Sequence, residues 1–468
     1  MGQYSKLKSD TFLFAISNFA SKILAFLLLP LYTKALSTQE LGTVDIIITV
    51  INIVFPIFTL AIIEAIMRFS FDKSVDSKEI LSIAIIFYLF SNLIIGLIIF
   101  IGSIITDLPD LYLWYLFLLY SGYSLSMIVS YYFRGNNKVE LVALQGIVQT
   151  VIVVICSVVF LLGFKLGIKG YILSLVIAYY VSSFAVCIKD KTLLGIEKDF
   201  YVNKTLVKNM LRYSIPIIPG KIAWWLNNSS DRYFIVSLLG VTSNGLYSVA
   251  HKIPSVMIVF SDIFNQAWQI SAIELYQEKE RKGNFYAAVH ENYIQFMIMC
   301  ASVVILFSEV LGWILFSRDY LQAWVYVPPL IVSAVFSSMS GFYHSIFRAA
   351  KLSKELCITV LVGTVTNITL NSLFVFRLGL MGAAYATMIA FIVEWGVSYL
   401  YTKKIMELRV DIKKLFSLYG LIILEASCFA VTYLYRYVIG IICVLIIMLL
   451  ARKTIYTAMR QICRKRVK

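Results

Sequence analysis

Four basic side chains lie inside long apolar runs: Lys22 in SNFASKILAF, Lys221 in IIPGKIAWW, Arg232 in NNSSDRYFI and Lys252 in SVAHKIPSV. A cation at bilayer depth costs at least ~2.5–3.5 kcal/mol, so it is kept where it meets water, a counter-charge or a ligand. Trp224, Asn227 and Asn228 lie close by in sequence. They offer a stacking face and amide hydrogen bonds, the kit that suits a sugar or an amphiphilic ligand. Lys22 and Lys221 either line a cavity or pair structurally. Asn227, Asn228 and Ser229 either meet a ligand or hold helices together, and Arg232 either enters a cavity or snorkels to the interface.

The intramembrane acids Asp231, Asp262 and Glu394 are candidates for coupling to a proton or sodium ion. Asp231 and Arg232 are immediate neighbours and do not share a helix face, so each needs a further partner. Asp262 follows Lys252 by nearly three turns, on roughly the same face. Glu64, Glu309 and Glu425 are further acids in apolar surroundings, the first two near span ends. The histidines 251, 290 and 344 are isolated, and the seven cysteines are scattered without a CxxC pair. No metal site, cofactor or catalytic constellation is expected.

These residues must be positioned by membrane helices. The chain has 468 residues, of which 60% are hydrophobic and 14% charged, with mean hydropathy +0.84. Soluble domains carry about 25% charged residues. Apolar runs long enough to span a bilayer recur throughout. They predict fourteen spans, at 11–33, 43–67, 81–105, 111–133, 141–162, 168–188, 213–238, 245–273, 290–316, 321–347, 356–376, 380–402, 415–435 and 437–456. The net charge of +15 does not imply nucleic acid, because 31 of the 41 Lys and Arg fall at the termini or in even-numbered loops, with Arg452 and Lys453 counted in the C-terminal tail. That bias places both termini in the cytoplasm. The loops are too short for an extramembrane catalytic domain, so function resides between helices and a membrane enzyme is disfavoured.

An internal repeat organises the spans. FRGNNKVELVALQGIVQTVIVVICSVVFLLGFKLGIKG (133–170) aligns with FRAAKLSKELCITVLVGTVTNITLNSLFVFRLGLMG (347–382). Each runs from Phe-Arg through an apolar span to a basic-Leu-Gly-x-x-Gly turn. The expected fold is therefore all-α and polytopic: a six-helix bundle over 1–205, a parallel second over 206–410 around a central cavity, and two added helices with a basic tail over 411–468.

The stretch YSIPIIPGKIAWWLNNSSDRYFI, opening the second half, resembles the Ile-Pro-x-x-Pro…Asn-x-x-Asp-Arg segment of the polysaccharide-transporter family. FLLLPLYTKALSTQELGTVDI (26–46) resembles that family's first hairpin, and FRGNNKV its span 4–5 turn. These are the O-antigen and capsule repeat-unit flippases of the multidrug/oligosaccharidyl-lipid/polysaccharide exporter superfamily. The resemblance covers residues 10–405. It implies a flippase that carries a polyprenyl-pyrophosphate-linked oligosaccharide from the inner to the outer leaflet of a bacterial cytoplasmic membrane by alternating access. The rivals are an ion-coupled drug or cation antiporter and a peptidoglycan-precursor flippase of the same superfamily.

Overall fold

The computed structural model describes residues 26–105 save 71, 73 and 74, then 110–190, 203–276, 282–405 save 351, 411–431 and 435–452. The described residues form helices and turns, and no strand occurs among them. By packing, the chain divides into two compact units, Met1–Leu226 and Asn227–Lys468.

The first unit holds α1 (Leu29–Ala35), α2 (Thr38–Phe58), α3 (Ile62–Ser70), α4 (Ser77–Ile105), α5 (Asp110–Gly135), α6 (Val139–Ser157), α7 (Ile168–Lys189) and the short α8 (Lys204–Ser214). Helix α9 (Ile218–Leu239) contains the unit boundary. The second unit continues with α10 (Val241–Tyr276), α11 (Lys282–Leu306), α12 (Ser308–Leu315), α13 (Val327–Ala349), α14 (Ser353–Ile405), α15 (Ile412–Val431) and α16 (Arg436–Leu450). Each predicted span overlaps described helix, with residues 11–25, 432–434 and 453–456 lying outside the described residues. Among the described residues, eight helices are long and apolar enough to cross a membrane. The all-α polytopic architecture is thus as the sequence implies. The last two helices, α15 and α16, pack on α11 and on each other inside the second unit, and α15 also packs on α13.

Some predicted spans are not single α-helices. The run 43–67 breaks between α2 and α3, and the run 290–316 breaks at Phe307 between α11 and α12. Apolar length alone does not reveal such breaks, because lipid accepts the flanking residues either way.

Helix α13 is the post of the second unit. It packs against α10, α11, α14 and α15, and residues on every side of it are buried. An evenly apolar helix is what such a position requires. Its serines satisfy themselves on their own helix: Ser333 donates to the Leu330 carbonyl (2.7 Å) and Ser338 to that of Ala334 (2.6 Å).

The repeat is visible in the backbone. Gly167, between α6 and α7, has φ 56° and ψ −136°, and Gly379, which divides α14 into two arms, has φ 61° and ψ −139°. Each is the Gly of the basic-Leu-Gly-x-x-Gly turn. Gly167 lies 28 residues beyond Val139, the first of its helix, whereas Gly379 lies 26 beyond Ser353. The first copy absorbs the two extra residues in a π-helical run, Val158–Gly163, and the turn after it. Both copies therefore reach the same local conformation from unequal lengths.

Such a backbone conformation is close to glycine-only. A Cβ at Gly379 meets nothing within 4 Å, but one at Gly167 would lie 2.5 Å from Glu40 Oε1. Gly379→Ala is expected to cost about 1–3 kcal/mol of backbone strain. Gly167→Ala should cost more, since it also displaces the Glu40 carboxylate from the Ile168 N–H (3.1 Å). Thermal unfolding of the two variants in detergent, ranked against wild type, checks this order.

Candidate functional site

The prolines that open the 214–234 stretch shape its entry. Ile215–Ile217 is a single 3-10 turn, after which α9 runs unbroken to Leu239. Proline within a first turn forfeits only an N–H that has no partner there in any case. The stretch is thus a well-started helix whose middle carries Asn228, Asp231 and Arg232.

In the second unit these residues face α10, α13 and the second arm of α14. They enclose a cavity of about 290 Å³. Its polar wall is Asn228, Asp231, Arg232, His251, Lys252 and Thr387. Pro254 lines it too and sits inside α10, where it removes the N–H that would bond the Ala250 carbonyl.

Asp231 is the organising group. It is buried, with Oδ2 3.6 Å from His251 Nε2 and Oδ1 3.6 Å from an Arg232 guanidinium nitrogen. Tyr247 lies beside it as well. Tyr247 and His251 are one turn apart on α10 with ring centroids 4.7 Å apart, edge to face. Arg232 also reaches the Asn228 carbonyl at 3.3 Å. Behind Asp231 runs a buried amide and hydroxyl seam. Ser230 donates to Asn367 Oδ1 (2.7 Å), Asn371 donates to the same oxygen (2.9 Å), and Asn367 reaches Thr387 (3.4 Å). The cavity thus presents two permanent cations, Arg232 and Lys252, a titratable imidazole and one carboxylate. Its balance is positive.

Lys221 belongs to the first unit and is bound there. Its Nζ lies 2.6 Å from Glu64 Oε1, with both side chains partly exposed. Glu64 stands at the start of α3, just beyond a sharp break. Leu60 and Ala61 have φ 51° and 49°, in the left-handed region, with no glycine to relieve them. The break is closed by Ala61 N–H donating to the Pro56 carbonyl (2.8 Å) and by the Thr59 hydroxyl donating to that of Phe55 (2.6 Å). Left-handed non-glycine residues cost roughly 1–2 kcal/mol each. That strain turns the chain so that Glu64 meets Lys221. In the same unit the Trp225 indole donates to the Thr49 carbonyl (2.9 Å).

Of the residues singled out by sequence, the structure brings Asn228, Asp231, Arg232 and Lys252 together. Asp262 is exposed on α10 and is not among the cavity residues. Glu394 is buried on α14 beside His344 rather than in the cavity. Lys22 and the side chains of Trp224 and Asn227 lie outside the described residues. Asp231 and Arg232 do approach each other although adjacent, because the arginine bends back toward its own helix. Sequence reasoning missed His251, Tyr247, Thr387, Asn367 and Asn371. The spacing of Tyr247 and His251, four residues apart on the helix following Asp-Arg, was the signal available for the first two.

The model of the family described as "Polysaccharide biosynthesis protein" matches residues 7–269, more than half the chain. The chain belongs to the polysaccharide biosynthesis protein family. This bears out the family expected from the 214–234 stretch. The family member is 25% identical over 415 residues to an uncharacterised membrane protein of Methanocaldococcus jannaschii, covering 82% of this chain and 94% of that one. Its fold matches the lipid II flippase MurJ in an inward closed conformation, with a TM-score of 0.71 at 17% identity over 95% of this chain and 100% of the other. It also matches an inward-facing MATE family multidrug resistance transporter of the MOP superfamily (TM-score 0.65, 16% identity, 82% and 94% covered). A third match is a MOP superfamily transporter from Pyrococcus furiosus whose binding pocket is described as of reverse polarity (TM-score 0.59, 16% identity, 85% and 95% covered). The polysaccharide biosynthesis family member is thus a multi-pass membrane protein whose fold is like that of the MurJ and MATE structures.

The Lys221–Glu64 pair makes a direct prediction. Glu64→Lys or Lys221→Glu alone places like charges together at that junction and should lower the unfolding temperature. The reciprocal double swap should recover most of the loss. A thermal-shift double-mutant cycle on purified protein measures the coupling, and additive losses would show that the contact is incidental.

Proposed function

We propose that this protein is a flippase that moves a polyprenyl-pyrophosphate-linked oligosaccharide from the inner to the outer leaflet of a bacterial cytoplasmic membrane, for surface polysaccharides such as O-antigen or capsule. The observation that carries this reading is the cationic cavity of the second unit, where Arg232, Lys252 and His251 surround a single carboxylate. A diphosphate wants charge-assisted donors in a place poor in water. The cavity offers them beside Asn228 and Thr387, groups that suit sugar hydroxyls. Its volume of about 290 Å³ equals roughly ten water molecules of space. That accommodates a diphosphate with its first sugar and leaves the rest of the oligosaccharide outside.

The family membership and the likeness to a lipid II flippase support a lipid-linked cargo. A cation or drug exporter calls for a cavity dominated by acids, and this one is dominated by bases. In the proposed cycle the polyprenyl tail stays in lipid while one half rocks against the other, with both termini cytoplasmic. Lys22 and Lys221 are further counter-charges for the head group, Lys221 serving once it exchanges Glu64 for phosphate. Trp224 and Asn227 extend the sugar-binding surface. Membrane potential favours export, since each negative charge leaving a negative interior gains ~2.3 kcal/mol per 100 mV.

A hydrogen bond to a charged group contributes about 1.5–3 kcal/mol, roughly 10- to 100-fold in affinity. Arg232→Gln with Lys252→Gln is therefore expected to abolish surface polysaccharide when expressed in a flippase-null strain, at unchanged membrane levels by blot. Wild-type polysaccharide from the double variant would remove the head-group assignment.

A further inference from the structure

Two turns along from the cavity, α13 and α14 carry an acid and an imidazole that the cargo reading leaves unused. Glu394 is buried, with Oε1 3.7 Å from His344 Nε2. His344 Nε2 is also 3.1 Å from the Thr359 hydroxyl, which donates its own proton to the Leu356 carbonyl (2.9 Å). With that proton committed, the hydroxyl accepts from His344. This places a hydrogen on Nε2 and leaves Nδ1 as the imidazole's basic site. Glu394 is wedged against the first arm of α14 at Gly363, where an added Cβ would lie 2.7 Å from its Oε2. The backbone there makes room for a carboxyl group and little else.

The placement is directional. Glu394 follows Thr387 by seven residues and His344 follows Ser337 by seven, and Thr387 and Ser337 both line the cavity. Seven residues are two helical turns, about 10 Å of rise on one face. The same face of α14 continues through the buried Ser398 and Thr402 toward the helix end at Ile405. Polar groups therefore mark a line from the cavity past the pair to the end of the second arm. Arg348, one turn beyond His344 on α13, is a charge that acts on His344. Tyr343, next to His344 in the chain, bonds His290 of α11 (2.8 Å) and has its ring 6.3 Å from that of Tyr399, and Tyr419 of α15 meets Trp395 edge-on.

We propose that Glu394 and His344 form a proton-binding site that couples proton movement to the transport cycle. This rests on the transporter reading above. With one proton fewer the pair is an ionised carboxylate beside a neutral imidazole, a net charge of −1. With one proton more it is neutral overall, as acid and imidazole or as an ion pair. Charge at bilayer depth is costly, so proton occupancy alters how tightly α13 and the two arms of α14 close around Gly363. Asp262 is exposed, and Asp231 is engaged with Arg232 and His251 at the cavity.

The test uses purified full-length protein in lipid, read by infrared difference spectra between acid and alkaline buffer. Wild type should show a carboxylic-acid carbonyl band that titrates. Glu394→Gln should remove it, and His344→Gln should move its midpoint by about one pH unit. In a flippase-null strain, Glu394→Gln should leave polysaccharide output insensitive to medium pH where wild type varies. The double variant of Arg232 and Lys252 should keep the band while losing output. If Glu394→Gln leaves the band and the pH dependence unchanged, the proton site is overturned. If Glu394→Gln fails to reach the membrane, an unmoved midpoint in His344→Gln overturns it instead. Normal output from the Arg232 and Lys252 double variant would sink the cargo reading alone, with the infrared assignment intact.

Discussion

The structure depends on what a bilayer does to charge. An ionised side chain away from water has to be matched by another group, and five acids among the described residues show how. Asp231 is matched by arginine, histidine and tyrosine, Glu64 by Lys221, Glu394 by His344, and Glu309 by Arg436 and Tyr437. Glu425 accepts from Ser302 at 2.6 Å in the packing of α15 against α11. These contacts hold different helices to one another, so the polar minority of residues sets which helices meet. The apolar majority sets only that they are helices in a membrane.

The two halves share a plan and differ in their polar content. Their hairpins turn on glycines of equal conformation, Gly167 and Gly379. Yet the first unit's buried polar groups are mostly hydroxyls and amides: Gln145 with Ser126 (3.1 Å), and Tyr180 with Ser121 (2.7 Å). The second carries the buried carboxylates Asp231, Glu394 and Glu425, the imidazoles and the cationic cavity.

The spans were legible because lipid demands runs of about twenty apolar residues, and the paired turns were legible because a glycine in such a conformation has no substitute. Asp231, Arg232 and Lys252 stood out as charges in apolar company. Their partners did not. Glu64 is 157 residues from Lys221, and nothing local in either segment names the other. The break at Leu60 and Ala61 was hidden as well, because a left-handed turn without glycine leaves no compositional mark. Pairing between helices is a property of the packed bundle, and a single chain read along its length does not contain it.

Helix α13 touches protein on all sides and meets neighbours on both sides of it in the chain, among them α15. In a chain made from its N-terminus, α13 is synthesised before α14 and α15, two of the helices that come to cover it. Its lasting surroundings are complete only once residues near 420 have emerged. Assembly of this half is therefore a late event in biosynthesis, and a nascent chain halted before α15 would leave the central post uncovered for quality control to find.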